Sequence, residues 1–405
     1  MKIKITKTIL FCLFIVNIVN AQWTSLNSGT TVNFTSVSFP TQDTGFAVSS
    51  NFGNGGKIMA TTDGVNWNQQ FSLTDYLSTV FFISSKIGWA GGGNNPNGII
   101  LKTIDGGINW STQTTNVKQI YSIHFTNDTT GWAIGNDGTV GTYFIYKTTN
   151  GGTTWSLQKT GNDYLRSIFF RSDSIGWVAG DNGRIFKTTD GGSTFALQNT
   201  GVIFHFNSIF FISDSVGWSV GSYINGGCYK TTNGGLSWIS QSIPTNASLS
   251  SVYFTSANTG WSVGSNGTIL TTLDGGTNWT IQASSTTQSL NSVYFINPNM
   301  GYSVGENGTI LKYFIVTGIA KTENKIQISI FPNPFFSATT LQTDKLLNNA
   351  TLTVCNYFGQ TVKQIKNISE QTVTLSRDNL PSGLYFIRVT QDNKVISADK
   401  LIITD

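Results

Sequence analysis

One phrase recurs seven times along this chain, and it constrains the fold more than any other feature. A glycine followed by an aromatic residue falls at Gly45, Gly88, Gly131, Gly176, Gly217, Gly260 and Gly301, in steps of 41 to 45 residues. The aromatic partners are Phe46, Trp89, Trp132, Trp177, Trp218, Trp261 and Tyr302. A second aromatic follows in most units, at Trp67, Trp110, Trp155, Phe195, Trp238 and Trp279. All 11 tryptophans fall in these two columns or at Trp23. Each unit holds four short candidate strands separated by Gly, Asn, Asp and Ser turns. In the sixth unit these are residues 251–255, 260–263, 268–272 and 278–282. No unit has a helical apolar period. Four strands per repeat of about 40 residues predict a propeller blade.

The two ends set the predicted blade count. The seventh unit, from about Leu290 to Tyr313, has three strands and lacks the last aromatic one. Trp23-Thr24-Ser25-Leu26 reads as that missing strand, beside Trp155-Ser156-Leu157-Gln158 and Trp279-Thr280-Ile281-Gln282. The expectation is an all-β chain: a seven-bladed β-propeller whose N-terminal strand completes the last blade, followed by a small C-terminal β-sandwich. An open solenoid would not explain why the piece missing at one end stands at the other.

Residues 1–21 read as a signal peptide. Lys2, Lys4 and Lys7 precede an apolar run from Ile9 to Val19, and Val19 and Ala21 are small enough for a cleavage site. That run is about 11 residues, short of the roughly 20 needed to cross a bilayer, and no later segment reaches that length. The predicted organisation is signal peptide 1–21, propeller 22–313, linker 314–325 and C-terminal domain 326–405. Cutting after Ala21 removes three lysines from the 24 basic residues, leaving 21 against 20 acidic ones. With no clustered basic face, a nucleic-acid partner is not expected. Cys12 lies in the signal, and Cys228 and Cys355 are far apart in different domains, so no disulfide is expected.

The repeated turns have structural readings. Asp63, Asp105, Asn150, Asp190, Asn233 and Asp274 occupy one turn position, where a side-chain oxygen accepts backbone N–H bonds beside glycines that tolerate a positive φ. Asn at two of these positions argues against an acid doing chemistry. Trp67, Trp110, Trp155, Trp238 and Trp279 are expected to pack between blades.

On these residues the chain resembles propellers related to the photosystem II assembly and stability factor, which carry the same Gly-Trp-Ala-Val-Gly and Thr-Asp-Gly-Gly-x-x-Trp phrases. The turn at Thr103-x-Asp105-x-Gly107-x-Asn109-Trp110 also matches the Asp-box of bacterial sialidases. Residues 326–405 resemble the C-terminal sorting domain of the type IX (Por) secretion system of Bacteroidota. The phrases that carry the match are Pro332-Asn333-Pro334, the turn at Gly359, and Pro381-Ser382-Gly383-Leu384-Tyr385. This resemblance implies transit through the periplasm, the type IX translocon as partner, removal of the domain by a cut within 317–325, and a secreted or surface-attached product.

Catalytic constellations are sparse. A sialidase needs arginines from separate blades, but Arg166, Arg171 and Arg184 all lie in blade four. A glycosidase needs two facing carboxylates. Most acids here sit in repeated turns, while Asp75, Asp137 and Asp163 break the period without an identifiable partner. His124 and His205 stand in neighbouring positions of different blades and form no recognised metal set with Cys228. No metal or cofactor is expected. The loops between second and third strands vary while their flanks stay fixed, so Phe52, Asn94, Asn95, Asp137, Tyr143, Tyr223 and Asn225 are candidate binding residues. The leading expectation is a non-catalytic exported propeller that binds a surface protein or glycan. The alternatives are a polysaccharide-active hydrolase of Asp-box propeller type and a structural surface component.

Overall fold

The computed structural model describes the chain except residues 1–20, 51–54, 95–96, 114–117, 137–140, 223–224, 316–326, 357–358 and 392–393. Contacts divide it into two compact units, one spanning Asn20–Ile315 and one containing the C-terminal residues to Asp405.

Among the described residues, the first unit consists of seven four-stranded antiparallel sheets in a propeller-like arrangement. The first sheet pairs Asn33–Ser38, Gly45–Ser50, Gly56–Thr61 and Asn68–Leu73 in that order. The first strands of the next five sheets begin at Leu77, Gln119, Leu165, His205 and Leu249. The seventh sheet differs: Leu290–Asn297, Met300–Gly305 and Ile310–Ile315 are joined by Ala21–Leu26 as the outer strand. That strand runs antiparallel to Ile310–Ile315, with Trp23 opposite Tyr313.

The Gly-aromatic column is explained by what lies on each side of it. The second strand of each sheet is buried along its length. Its aromatic ring stacks on a phenylalanine of the following sheet: Trp89 on Phe125 at 3.5 Å, Trp132 on Phe170 at 3.5 Å, Trp177 on Phe211 at 3.6 Å and Trp218 on Phe254 at 3.5 Å. The glycine before it makes room for the phenylalanine of its own sheet: a Cβ on Gly131 would stand 2.4 Å from the Phe125 ring. The second aromatic then meets that phenylalanine edge-on, as Trp155 does Phe125 and Trp279 does Phe254. Each joint is thus a three-ring cluster, worth more than its buried area alone.

Hydrogen bonds complete the joints. The indole Nε1 of Trp89, Trp132, Trp177 and Trp218 donates to the carbonyl of Gly151, Gly191, Gly234 and Gly275 at 2.9–3.0 Å, each glycine lying in the Asp-box turn of the next sheet. Tyr302 of the seventh sheet donates to Gly64 of the first at 3.0 Å and stacks on Phe39 at 3.7 Å. Trp261 is the exception. The seventh sheet has no turn between its third and fourth strands, because the fourth comes from the other end of the chain, and Trp261 Nε1 is buried without a partner.

Inside each turn the acidic or amide side chain does the same task. Asp105 accepts from Thr103 Oγ1 at 2.9 Å and from Asn109 N at 2.9 Å, and Asn150 accepts from Thr148 Oγ1 and Thr154 N at the same distances. In the shorter first turn Asp63 accepts from Val65 N and Asn66 N. The hydrogen bonds leave a titration signature. The Thr194 side chain and backbone hold Asp190 down at about 2. Burial pushes Asp63 up, but the bonds from Asn66, Val65 and Thr61 outweigh it and hold this group at about 2 as well. A carboxylate whose folded value lies below its unfolded 3.8 contributes stability at higher pH and loses it as pH falls through the folded value. Asp63 and Asp190 are therefore expected to stay ionised down to about pH 2, as read by carbon NMR of the carboxyls. Asp190→Asn is expected to keep the turn at neutral pH, as Asn150 does; loss of the fold there would contradict this reading.

The C-terminal unit is built from two sheets. One orders Ile328–Phe331, Ala338–Thr343 and Thr372–Ser376; the other orders Thr361–Ile368, Ala350–Asn356, Gly383–Gln391 and Lys394–Ile403. Their shared core includes Phe335, Leu341, Leu352, Val354, Ile387, Val389 and Leu401. Asn333 lies between two prolines and acts as a peptide mimic: its Nδ2 donates to Lys400 O at 2.9 Å and its Oδ1 accepts from Ile402 N at 2.8 Å. Gly359 has φ +80° in the turn after Asn356, and Tyr385 donates to Pro381 O at 2.8 Å.

Candidate functional site

The first strands of adjacent sheets touch one another, and the first strand of the first sheet touches that of the seventh. All seven of these strands carry the same irregularity. The register slips by one residue, as between Ile120 and Ser122 or Leu165 and Ser167, which leaves a bulged residue unpaired. The bulged positions are Thr35, Ser78, Tyr121, Arg166, Asn207, Ser250 and Asn291. The bulge also explains the last glycine of the Gly-Trp-x-x-Gly phrase: a Cβ on Gly180 would stand 2.0 Å from Tyr164 O.

The hydroxyl after the bulge ties six of the first strands to the next. Ser36, Ser122, Ser167, Ser208, Ser251 and Ser292 accept from Val80, Ile168, Ile209, Val252, Val293 and Val37 N, at 3.2–3.4 Å. Two residues further on, rings stand side by side: Phe81, His124, Phe169, Phe210, Tyr253 and Tyr294 follow one another at centroid spacings of 4.7–5.1 Å. His124 Nδ1 is buried there without a hydrogen-bond partner. Burial holds His124 down at about 3 from an unfolded 6.5. In the unfolded chain it takes a proton below 6.5; in the fold it does not until about 3, so stability falls with pH across that window. His124→Phe is expected to raise stability by about 1–3 kcal/mol at neutral pH and to flatten this acid dependence. Urea unfolding at several pH values checks both.

Repetition shows which positions the fold itself leaves open. In the bulge column serine suffices at Ser78 and Ser250, and in the column two residues earlier it suffices at Ser248 and Ser289. The first, second and seventh sheets also carry Asn33, Thr35, Tyr76 and Asn291 in these columns, and the third to fifth carry Gln119, Tyr121, Tyr164, Arg166, His205 and Asn207. Around Arg166 several of these residues meet. Arg166 donates from Nε and Nη2 to both oxygens of Asp181, at 2.5 and 3.0 Å. His205 Nδ1 lies 3.0 Å from Asp181 Oδ1. Tyr121 and Tyr164 line the same cavity as the guanidinium. Burial pushes the Tyr121 phenol up, against a hydrogen bond with Asn136. Asn207 Nδ2 donates to Leu249 O at 2.8 Å. Together with Thr35, Ser78 and Leu165, Tyr121, Tyr164, Arg166, Asp181 and Asn207 line a cavity of about 490 Å³.

The loop residues expected to bind are dispersed by comparison. Phe52, Asn95, Asp137 and Tyr223 lie outside the described residues. Asn94 is half-buried and donates to Thr74 O at 3.5 Å, and Asn225 is exposed. Tyr143 is not a loop residue: it is the second residue of the strand Thr142–Thr148, is 3 % exposed and packs with Ile145, Leu165 and Phe186. Among the described residues, none of Asn94, Tyr143 and Asn225 lines the cavity. Sequence reasoning weighed Arg166 only as part of a sialidase triad. The signal that finds the site is the arginine at Arg166, the one charged residue among the seven bulged positions. Among the described residues, no group of three or more His, Cys, Asp or Glu side chains could hold a metal.

Two family models match. Residues 329–404 match the secretion system C-terminal sorting domain, and residues 237–314 match the photosynthesis system II assembly factor YCF48. The chain is a BNR/Asp-box propeller-type protein with a type IX sorting domain. It is a secreted or surface-attached protein, and no helix among the described residues is long and apolar enough to cross a membrane. No curated protein sequence matches it. Among solved structures, YCF48 bound to D1 peptide is 20 % identical with a TM-score of 0.60, covering 72 % of this chain and 94 % of that one. PorZ, a surface component of the type IX secretion system of Porphyromonas gingivalis, is 12 % identical with a TM-score of 0.53, covering 92 % and 59 %. The GH74 xyloglucanase from Xanthomonas campestris is 11 % identical with a TM-score of 0.58, covering 80 % and 60 %. At these identities the likeness establishes the fold alone.

Proposed function

We propose that this protein is a non-catalytic binding module, exported through the type IX translocon by its C-terminal domain, whose ligand docks over Tyr121, Tyr164, Arg166 and Asp181. The reading takes residues 22–313 as a closed seven-bladed ring. The joint of Tyr302 on Phe39, the bond from Val37 N to Ser292 and the strand around Trp23 support that closure. In such a ring the bulge column encircles the mouth of the central channel. It also takes 1–21 as a signal peptide, the residues between the strand Ile310–Ile315 and residue 326 as a linker, and 326–405 as the sorting domain, whose partner is the translocon.

The observation that carries the binding role is the cavity of about 490 Å³ that Tyr121, Tyr164, Arg166 and Asp181 line together. A non-catalytic role is supported by the state of the acids: Asp181 is engaged by Arg166 and Asp163 by Arg184 at 3.0 Å, so neither stands as an unpaired acid or nucleophile of a glycosidase. YCF48, of the same fold, has been seen bound to a peptide, and a polypeptide or glycan ligand fits this mouth. The test is a glycan array and a displayed-peptide library probed with the mature chain and with Arg166→Ser. The ligand found is expected to be lost in the variant. A ligand retained unchanged by Arg166→Ser places binding elsewhere and removes the reading.

A further inference from the structure

We infer that the cavity beside Arg166 takes a neutral glycan, an inference that rests on the binding role of this mouth. Its charges are already balanced. The guanidinium is held bidentately by Asp181, and Arg184 is held by Asp163 at the same end of the sheet. With each pair close to neutral, a charged ligand gains little net attraction there to offset the loss of its own hydration. An uncharged ligand leaves both pairs intact.

The polar groups that remain suit hydroxyls. A phenol or serine hydroxyl both donates and accepts, as a sugar hydroxyl does, and Tyr121, Tyr164 and Ser78 all line the cavity. The Arg166–Asp181 pair places N–H donors and carboxylate oxygens side by side, which matches two neighbouring hydroxyls of one ring. The two tyrosines add apolar faces with a polar tip. At about 490 Å³ the space lies within the range of small-ligand sites.

An extended peptide is less well served. Peptides that add to a sheet need a row of unpaired N–H and C=O groups. Beneath the cavity, Ile168 N and Ile209 N are already bonded to Ser122 and Ser167, so that edge offers no ladder.

The experiment is calorimetric titration of the mature full chain with neutral oligosaccharides (cello-, malto-, manno- and xyloglucan series) and with oligogalacturonate. The variants are Tyr121→Ser and Tyr164→Ser, chosen because serine occupies the equivalent positions in other sheets and the fold accommodates it there. At least one neutral series is expected to bind, with affinity insensitive to added salt and weakened about tenfold or more by each substitution. Three results overturn the inference: no neutral series binds, oligogalacturonate binds most tightly, or neutral binding ignores both substitutions. A library peptide that binds and is lost on Tyr121→Ser, with every neutral sugar blank, sinks the glycan and leaves the binding mouth standing. Ligands indifferent to both substitutions sink the two together.

Discussion

Replacing Trp23 with alanine lowers the stability of the repeat unit by about 3–5 kcal/mol, the largest single-residue effect expected in it. Trp23 is 1 % exposed. It meets Phe295 edge-on at 5.9 Å and Tyr313 at 5.2 Å, and its Nε1 donates to Gln282 Oε1 of the sixth sheet at 2.9 Å. The first contact repeats the geometry of Trp279 on Phe254 at 5.9 Å. An N-terminal residue thus performs in the seventh sheet what the second tryptophan of an ordinary unit performs in its own. With about 2 cal/mol/K of unfolding entropy per residue over this unit, the loss corresponds to a melting point roughly 5–8 °C lower. Calorimetry on Trp23→Ala measures it, with Leu157→Ala as the exposed control on an outer strand. Equal, small shifts in the two variants would mean that the N-terminal strand is a passive edge and that the proposed closure contributes nothing to the fold.

The repeat made the sheets legible, because the same sterics recur in every unit. Gly131 must be small for Phe125 and Gly180 for the carbonyl of Tyr164, so the columns are written in glycine and tryptophan and can be counted. The site was less legible for the same reason read backwards. Arg166 and Tyr121 are conspicuous only against Ser78 and Ser250, and the bulge that aligns those four residues is a register slip with no residue signature of its own. Variable loops drew attention instead. One of their residues, Tyr143, proved to be a strand position whose alternation turns it into the core. His124 was illegible in a third way. Its apolar neighbours Ile123 and Phe125 told that it was enclosed, and nothing in the sequence told that its nitrogen would find no partner across the row of rings.

The sorting domain offers the second large effect, because one amide side chain substitutes there for a strand. Asn333→Ala removes both bonds that Asn333 makes to the last strand, at Lys400 O and Ile402 N. A net loss of about 1 kcal/mol per bond, plus a backbone donor left without its partner, gives roughly 2–3 kcal/mol. In a domain of about 80 residues that shifts melting by roughly 10–20 °C, against a few degrees for the same loss in the larger unit. Two other clasps hold the end of the chain: Phe335 N donates to Ile402 O at 3.0 Å and Phe335 O accepts from Thr404 N at 2.9 Å, and Arg377 donates to Leu380 O, Thr404 O, Ser382 Oγ and Asp405 Oδ1 at 2.9–3.1 Å. Loosening any of them frays the strand that carries the last residues. Calorimetry of the uncleaved chain should show one transition moved by Asn333→Ala and the other unmoved. Asn333→Asp keeps the acceptor for Ile402 N and loses the donor to Lys400 O, so it should fall between alanine and the parent. In the producing cell, cell-surface protein should drop several-fold with retained periplasmic chain, the usual consequence of destabilisation on this scale. Unchanged surface levels together with a shifted transition would separate the fold of the domain from its recognition, and would place the translocon's contact on residues other than this clasp.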